Sequence, residues 1–170
     1  VLNVPRFSPK LNGLKIVAIS DIHGGSNAVT VERLRELVTL ANAQQPDLIV
    51  LLGDYVSEAR FDREALKKPE GTDRTELRMP VTVIADNLAG FNAKYGTYAV
   101  IGNHDWWHNQ AVVRREFERV GIKVLENRIE QISVGDEIIN LWGIEDYWKN
   151  RTVPAEAYEQ LPESRNVVAI

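Results

Sequence analysis

The sequence contains no cysteine, which removes disulfides, thiolate zinc sites and cysteine nucleophiles from consideration. Histidine is nearly as scarce, with three copies, so imidazole chemistry must draw on His23, His104 or His108. There is no excess of positive charge. Lys and Arg number 20 against 24 Asp and Glu, a formal net charge of −4, which argues against general nucleic-acid binding. Lys67-Lys68 and Arg114-Arg115 read as solvated faces rather than phosphate tracks. No apolar run reaches the roughly 20 residues that span a bilayer as a helix, and no repeat, low-complexity tract or linker interrupts the chain. At 170 residues and 44% apolar content, residues 1–170 read as a single domain able to bury a core.

Against these absences stands a concentration of polar residues at strand ends. Three apolar runs of strand length stop abruptly in residue types that bind metals. Lys15–Ile19 runs into Ser20-Asp21-Ile22-His23, Leu48–Leu52 into Gly53-Asp54-Tyr55, and Tyr98–Ile101 into Gly102-Asn103-His104-Asp105. Strand ends are where α/β folds place chemistry. In extended chain, Asp21 and His23 are two apart and share a face. Carboxylate oxygen with imidazole nitrogen suits Mn²⁺, Fe or Zn²⁺ better than Ca²⁺, which prefers oxygen alone.

Taken in order, Asp21-x-His23, Gly53-Asp54 and Gly102-Asn103-His104-Asp105 resemble the first three motifs of the calcineurin-like metallophosphoesterases. The resemblance covers roughly residues 14–146. It implies an α/β fold, an αββα sandwich of two mixed β-sheets, here truncated at its C-terminal side. It also implies two divalent ions (Mn²⁺, Fe²⁺/Fe³⁺ or Zn²⁺) and hydrolysis of phosphoesters by a bridging hydroxide. Carried over position by position, Asp21 and His23 resemble ligands of the first ion, Asp54 the bridging carboxylate and Asn103 a ligand of the second. His104 resembles the catalytic imidazole that serves the leaving oxygen, with Asp105 expected to orient it. The implied substrate is a small-molecule or lipid-linked phosphoester. The lead-in Val4-Pro5-Arg6 and the loop Gly143–Asp146 are similar to a bacterial branch that often carries an N-terminal membrane anchor or export signal. Some of its members hydrolyse UDP-diacylglucosamine. Membrane association or an extracytoplasmic location of the parent protein follows as an expectation. The alternative is a non-catalytic scaffold on the same fold; the retention of all five chemistry-bearing residues speaks against it.

The family's later histidine and its Gly-His-x-His motif have no counterpart in this sequence. With Val1 at one end and the apolar run Val167–Ile170 at the other, the chain reads as the N-terminal portion of a longer enzyme. Little or no activity is expected of it alone.

Periodicity places the remaining elements. Strand one, 14–20, reads as buried on both faces. A helix over 31–44, capped by Thr30, buries Val31, Leu34, Leu37, Val38 and Ala41. Residues 57–79 break the apolar pattern and read as a charged surface excursion with a short helix near 62–67. A helix over 80–93 and a strand over 97–101 complete a second parallel step. A helix over 109–120 follows, with His108 as its solvent-facing cap. Then come a short strand at 122–125, a hairpin of 128–134 and 137–142 around Gly135-Asp136, a helical turn near 154–161 and a last strand at 166–170. Trp106, Trp107, Tyr147 and Trp148 read either as core or as walls of a substrate groove, and Tyr55 is equally open.

Overall fold

Neighbouring residues of the central strands bury against different partners, and this alternation defines the layers. The computed structural model describes residues 4, 7–60, 67–69, 72–144, 146, 159 and 166–170. Its strands are β1 (Ile16–Ile19), β2 (Leu48–Leu51), β3 (Glu58–Arg60), β4 (Glu76–Leu77), β5 (Thr97–Ala99), β6 (Lys123–Val124), β7 (Arg128–Val134), β8 (Glu137–Gly143) and β9 (Val167–Ala169). Its α-helices are α1 (Val31–Ala43), α2 (Val81–Leu88) and α3 (Asn103–Arg119). The order β1-β2-β5-β6 makes a sheet that is parallel throughout the described residues. Val17, Ile19, Ile49, Leu51 and Ala99 face the helices. Ile16, Leu48, Val50 and Tyr98 instead meet Ile132, Ile139 and Leu141 of a second sheet. That second sheet, β7-β8-β9, is mixed, with β7 antiparallel and β9 parallel to β8. The layers are therefore helices, parallel sheet and mixed sheet, the α/β fold expected; of the two mixed sheets expected, the four-stranded one is parallel among the described residues.

The local signals explain the element ends. Thr30 caps α1 by accepting the Arg33 backbone N–H through its hydroxyl at 3.4 Å, and Leu34, Val38 and Ala41 form the buried stripe. The hairpin turns at Gly135-Asp136 with every residue from Arg128 to Val134 paired to β8. Three expectations need correction. Strand β1 is not buried on both faces. It lies at the edge of the four-stranded sheet, Ile16, Val17 and Ile19 are half-buried and Ala18 is exposed, because only β2 flanks it among the described residues. Helix α2 is shorter than 80–93. Pro80 sits before it at ψ 143 with no donor to offer, and the helix ends at Leu88 ahead of Ala89-Gly90. Helix α3 begins six residues earlier than periodicity alone indicates, at Asn103, and is interrupted at Asn109 (φ −168, ψ 92). The amphipathic stripe Val113–Phe117 belongs to its second half; the first half is polar because it carries the site. The short helix near 62–67 and the turn near 154–161 lie almost wholly outside the described residues.

Candidate metal centre

The loops after β1 and β2 run side by side and continue the sheet's pairing past its strands. Backbone N–H groups of Asp21, His23 and Gly24 donate to the carbonyls of Gly53, Asp54 and Tyr55 at 3.2, 2.9 and 2.8 Å. Three of the six described non-glycine residues with positive φ sit in this short ladder: Asp21 at 54°, His23 at 45° and Asp54 at 59°. Left-handed backbone in side-chain-bearing residues costs roughly 1–3 kcal/mol each and collects at functional sites. Here it turns three ligand-type side chains out of the sheet ends. Periodicity carries no such signal, and the sequence alone does not reveal it.

Two of those side chains, His23 and Asp54, converge with His104 at the start of α3, and Asp21 lies outside that group. His23, Asp54 and His104 each place a ligand atom so that the three atoms lie within 4.8 Å of one another. His23 donates Nδ1–H to the Val56 carbonyl at 3.0 Å. This arrangement leaves Nε2 as the lone pair for a cation, and Nε2 lies 3.8 Å from Asp21 Oδ1. Asp54 Oδ1 accepts the backbone N–H of His104 at 3.0 Å, so the ends of β2 and β5 are tied at the site itself. Asn103 is the first residue of α3, between Gly102, which packs against Asp54, and His104. The His23 imidazole with the carboxylates of Asp54 and Asp21 at these strand ends forms a donor set that fits a borderline divalent cation.

Asp105 occupies a different place from the one expected. It is fully buried, and its carboxylate accepts four backbone N–H groups: Gly102 at 3.0, Asp54 at 2.9, Tyr55 at 2.8 and Val56 at 3.2 Å. Burial, helped by the charge of Asp54, raises its carboxyl to about 7 against the pull of those amides. Its oxygens are committed to the backbone, so it does not hold the imidazole of His104. Glu58 does, accepting His104 Nδ1–H at 2.9 Å. Sequence reasoning missed Glu58 because it lies in the charged excursion, four residues past Asp54, with no periodic pattern to mark it.

Tyr55 is a strut. It is fully buried, its hydroxyl lies 2.7 Å from the Val100 carbonyl and accepts the Gly53 N–H at 3.1 Å. Burial, followed by the charge of Asp105, pushes its phenol well above the ordinary range. Trp106 packs on the core beneath Arg74, whose guanidinium carbon lies 5.0 Å from its ring centre. Trp107 contacts the His104 ring at 4.8 Å. Tyr147 and Trp148 lie outside the described residues.

His108 is buried rather than solvent-facing. Its Nδ1–H reaches the Thr75 carbonyl at 3.1 Å, and Asp73 lies 3.9 Å from Nε2. The cap of the second half of α3 is Asn109, whose Oδ1 accepts the Val112 N–H at 3.4 Å. Burial lowers the His108 pKa below 6.5, with Asp73 and Thr75 opposing. A base whose pKa is depressed by folding contributes stability above its unfolded pKa that is lost as pH falls through the folded one. Urea midpoints should therefore decline from about pH 6.5 downward. His108→Gln should flatten that part of the profile, and an unchanged slope would refute the assignment.

Residues 14–163 match the calcineurin-like phosphoesterase family along most of the chain. The chain belongs to this family. Among metallophosphoesterase relatives, it is 30% identical over 149 residues to a transmembrane protein with a metallophosphoesterase domain from Danio rerio, covering 84% of this chain and 29% of that one. It is 27% identical over 156 residues to the phosphodiesterase YaeI of Escherichia coli, covering 90% and 51%. It is 29% identical over 104 residues to the UDP-2,3-diacylglucosamine pyrophosphatase LpxG of Chlamydia muridarum, covering 61% and 26%. The chain thus spans about half or less of the length of these metallophosphoesterases. No helix among the described residues is long and apolar enough to cross a membrane.

Proposed function

We propose that this chain supplies the N-terminal half-site of a phosphoester hydrolase that uses two divalent ions. The observation carrying this reading is the convergence of His23, Asp54 and His104 within 4.8 Å at adjacent strand ends. Asp21, His23 and Asp54 would hold the first ion, and Asp54 with Asn103 would contribute to the second. When bound, such ions neutralise the phosphoryl oxygens and acidify water, and Mn²⁺, Fe²⁺/Fe³⁺ and Zn²⁺ all suit these donors. His104 acts as general acid. As water adds to phosphorus and the ester P–O bond breaks, the imidazole gives its Nε2 proton to the departing oxygen. Asp105 serves by holding the Asp54 loop through its amides. The substrate class we favour is a small-molecule or lipid-linked phosphoester, in keeping with relatives named for phosphodiester and UDP-diacylglucosamine chemistry. Association of the parent protein with a bacterial membrane, or an extracytoplasmic site, is part of the same proposal.

Calorimetric titration with Mn²⁺, paired with hydrolysis of bis-p-nitrophenyl phosphate, tests this reading. Fewer donors are assigned to the second ion, so the first site should fill at lower metal concentration. In the full-length enzyme, His104→Ala should lower kcat by roughly two to four orders of magnitude while metal stoichiometry is kept. Stoichiometric loss of metal in that variant would make His104 a ligand. Little turnover is expected of this chain alone, so the scaffold is favoured by a chain that binds no divalent metal rather than by one that does not turn over.

A further inference from the structure

We infer that Arg74 is a positioning residue for the metal centre: it closes the carbonyl end of the short half-helix Asn103–His108, which carries Asn103, His104 and Asp105. The inference deepens the hydrolase reading above and rests on it for the purpose of that half-helix.

Helix α3 is broken where the chain runs extended through Asn109 (φ −168, ψ 92). The break puts a helix end in the middle of α3, and the last carbonyls before it have no intrahelical partner. A helix this short does not hold itself in water, because so few turns hardly repay the cost of nucleation. Its amino end is tied down. The His104 backbone N–H donates to Asp54 Oδ1 at 3.0 Å, and the Asp105 carboxylate takes the amides of the Asp54 loop. Its carbonyl end is met by residues 73–75. Asp73 Oδ1 accepts Asn109 Nδ2–H at 2.9 Å, the Arg74 backbone N–H donates to the His108 carbonyl at 3.1 Å, and the Thr75 carbonyl accepts His108 Nδ1–H at 3.1 Å.

The Arg74 side chain completes this closure. The residue is 6% exposed, and among the described residues no carboxylate pairs with its guanidinium. A buried charge without a counter-charge is costly. What surrounds this one is Trp106. The guanidinium carbon lies 5.0 Å from the centre of the indole ring, Nη1 reaches the Trp106 carbonyl at 3.5 Å, and Nε–H meets no acceptor among the described residues. A cation at that place is stabilised by the negative end of the helix dipole and by the face of the ring. The carbonyls freed by the break thus stand in for the missing carboxylate. Remove the charge and the half-helix keeps its amino end but loses the electrostatic part of its carbonyl end. Its last turn then frays, and Asn103 and His104 lose their fixed approach to Asp54. Arg74 is assigned no contact with ion or ester; it acts through the half-helix.

Two readouts on the 170-residue chain test the inference. Arg74→Met keeps a buried unbranched stem against Trp106 and removes the charge. In the metal-free variant the His104 backbone amide proton should move upfield, as its bond to Asp54 Oδ1 lengthens. Calorimetric affinity for Mn²⁺ should fall roughly tenfold. Arg74→Lys returns a cation to the helix end without the planar fork, so it should lie between Arg74→Met and the wild type in both readouts. Arg119→Ala is the control. It breaks the pairs with Asp86 and Glu116 at the far end of α3, so it should lower the urea midpoint while leaving the His104 amide and the Mn²⁺ affinity unchanged. If Arg74→Met does not fold, Arg74→Gln, neutral but able to donate to the Trp106 carbonyl, takes its place with the same losses expected. An unmoved His104 amide, an unchanged Mn²⁺ affinity, equal changes in Arg119→Ala, or a lysine variant as impaired as the neutral one would overturn the assignment. A wild-type chain that binds no Mn²⁺ would instead reject the metal-centre reading, and the His104 amide would still judge Arg74 on its own.

Discussion

Replacing Asp105 by alanine should destabilise the fold by on the order of 4 kcal/mol and abolish tight binding of divalent metal. The carboxylate is completely buried and is the shared acceptor for the amides of Gly102, Asp54, Tyr55 and Val56. Truncation strands several buried N–H groups at once, and a buried donor without a partner costs about 1–3 kcal/mol. Three of those amides belong to the loop that carries Asp54, so the loop loses its anchor together with its stability. Asp105→Asn keeps one acceptor oxygen but turns an NH₂ toward an N–H donor, so an intermediate loss is expected. Urea unfolding gives the stability, and Mn²⁺ calorimetry the affinity. A Asp105→Ala protein within about 1 kcal/mol of wild type, with metal binding intact, would show that the amides find other acceptors.

Gly102→Ala should have a comparable effect on the site by a different route. Gly102 is not in the left-handed region; it is the residue that caps the N-terminus of α3, at φ −86. A Cβ there would run into Asp54, against its Oδ1 and backbone N and 2.9 Å from its Cγ. On the other side, a Cβ on Gly53 (φ +94) would meet the Cα of Gly102 at 2.7 Å. The two glycines let the ends of β2 and β5 touch, and the contact places Asp54 under His104. Because backbone and a ligand carboxylate cannot swing aside as a long side chain can, roughly 2 kcal/mol or more of stability should be lost. Metal affinity should fall more than tenfold. Gly90→Ala is the control, where the added methyl meets only Val38 Cγ1 at 3.2 Å. If Gly102→Ala binds Mn²⁺ as tightly as Gly90→Ala, the close approach is not what positions Asp54.

By itself, the sequence determined the order of the strands and helices other than β3 and β4, which lie in the stretch read as a charged excursion, together with the hairpin turn at Gly135-Asp136 and the strand ends where His23, Asp54 and His104 meet. These are local properties. Apolar periodicity reports which face of an element is buried, and an abrupt change from apolar to ligand-type residues reports where a buried strand opens to a site. Only the tertiary structure decided what each polar residue near the site touches. Asp105 stands beside His104 in sequence, yet in a helical turn adjacent side chains diverge, so its carboxylate meets the backbone of the Asp54 loop. Glu58, 46 residues from His104, reaches the imidazole because β3 folds back over the start of α3. His108 is buried for a related reason, as residues 73–75 lie across the same half-helix. The edge position of β1 depends on which strands flank it in space, and the left-handed turns at Asp21, His23 and Asp54 are imposed by the ladder between two loops far apart in sequence. Pairing between distant segments leaves no trace in local periodicity, which is why these features appear only once the chain is folded.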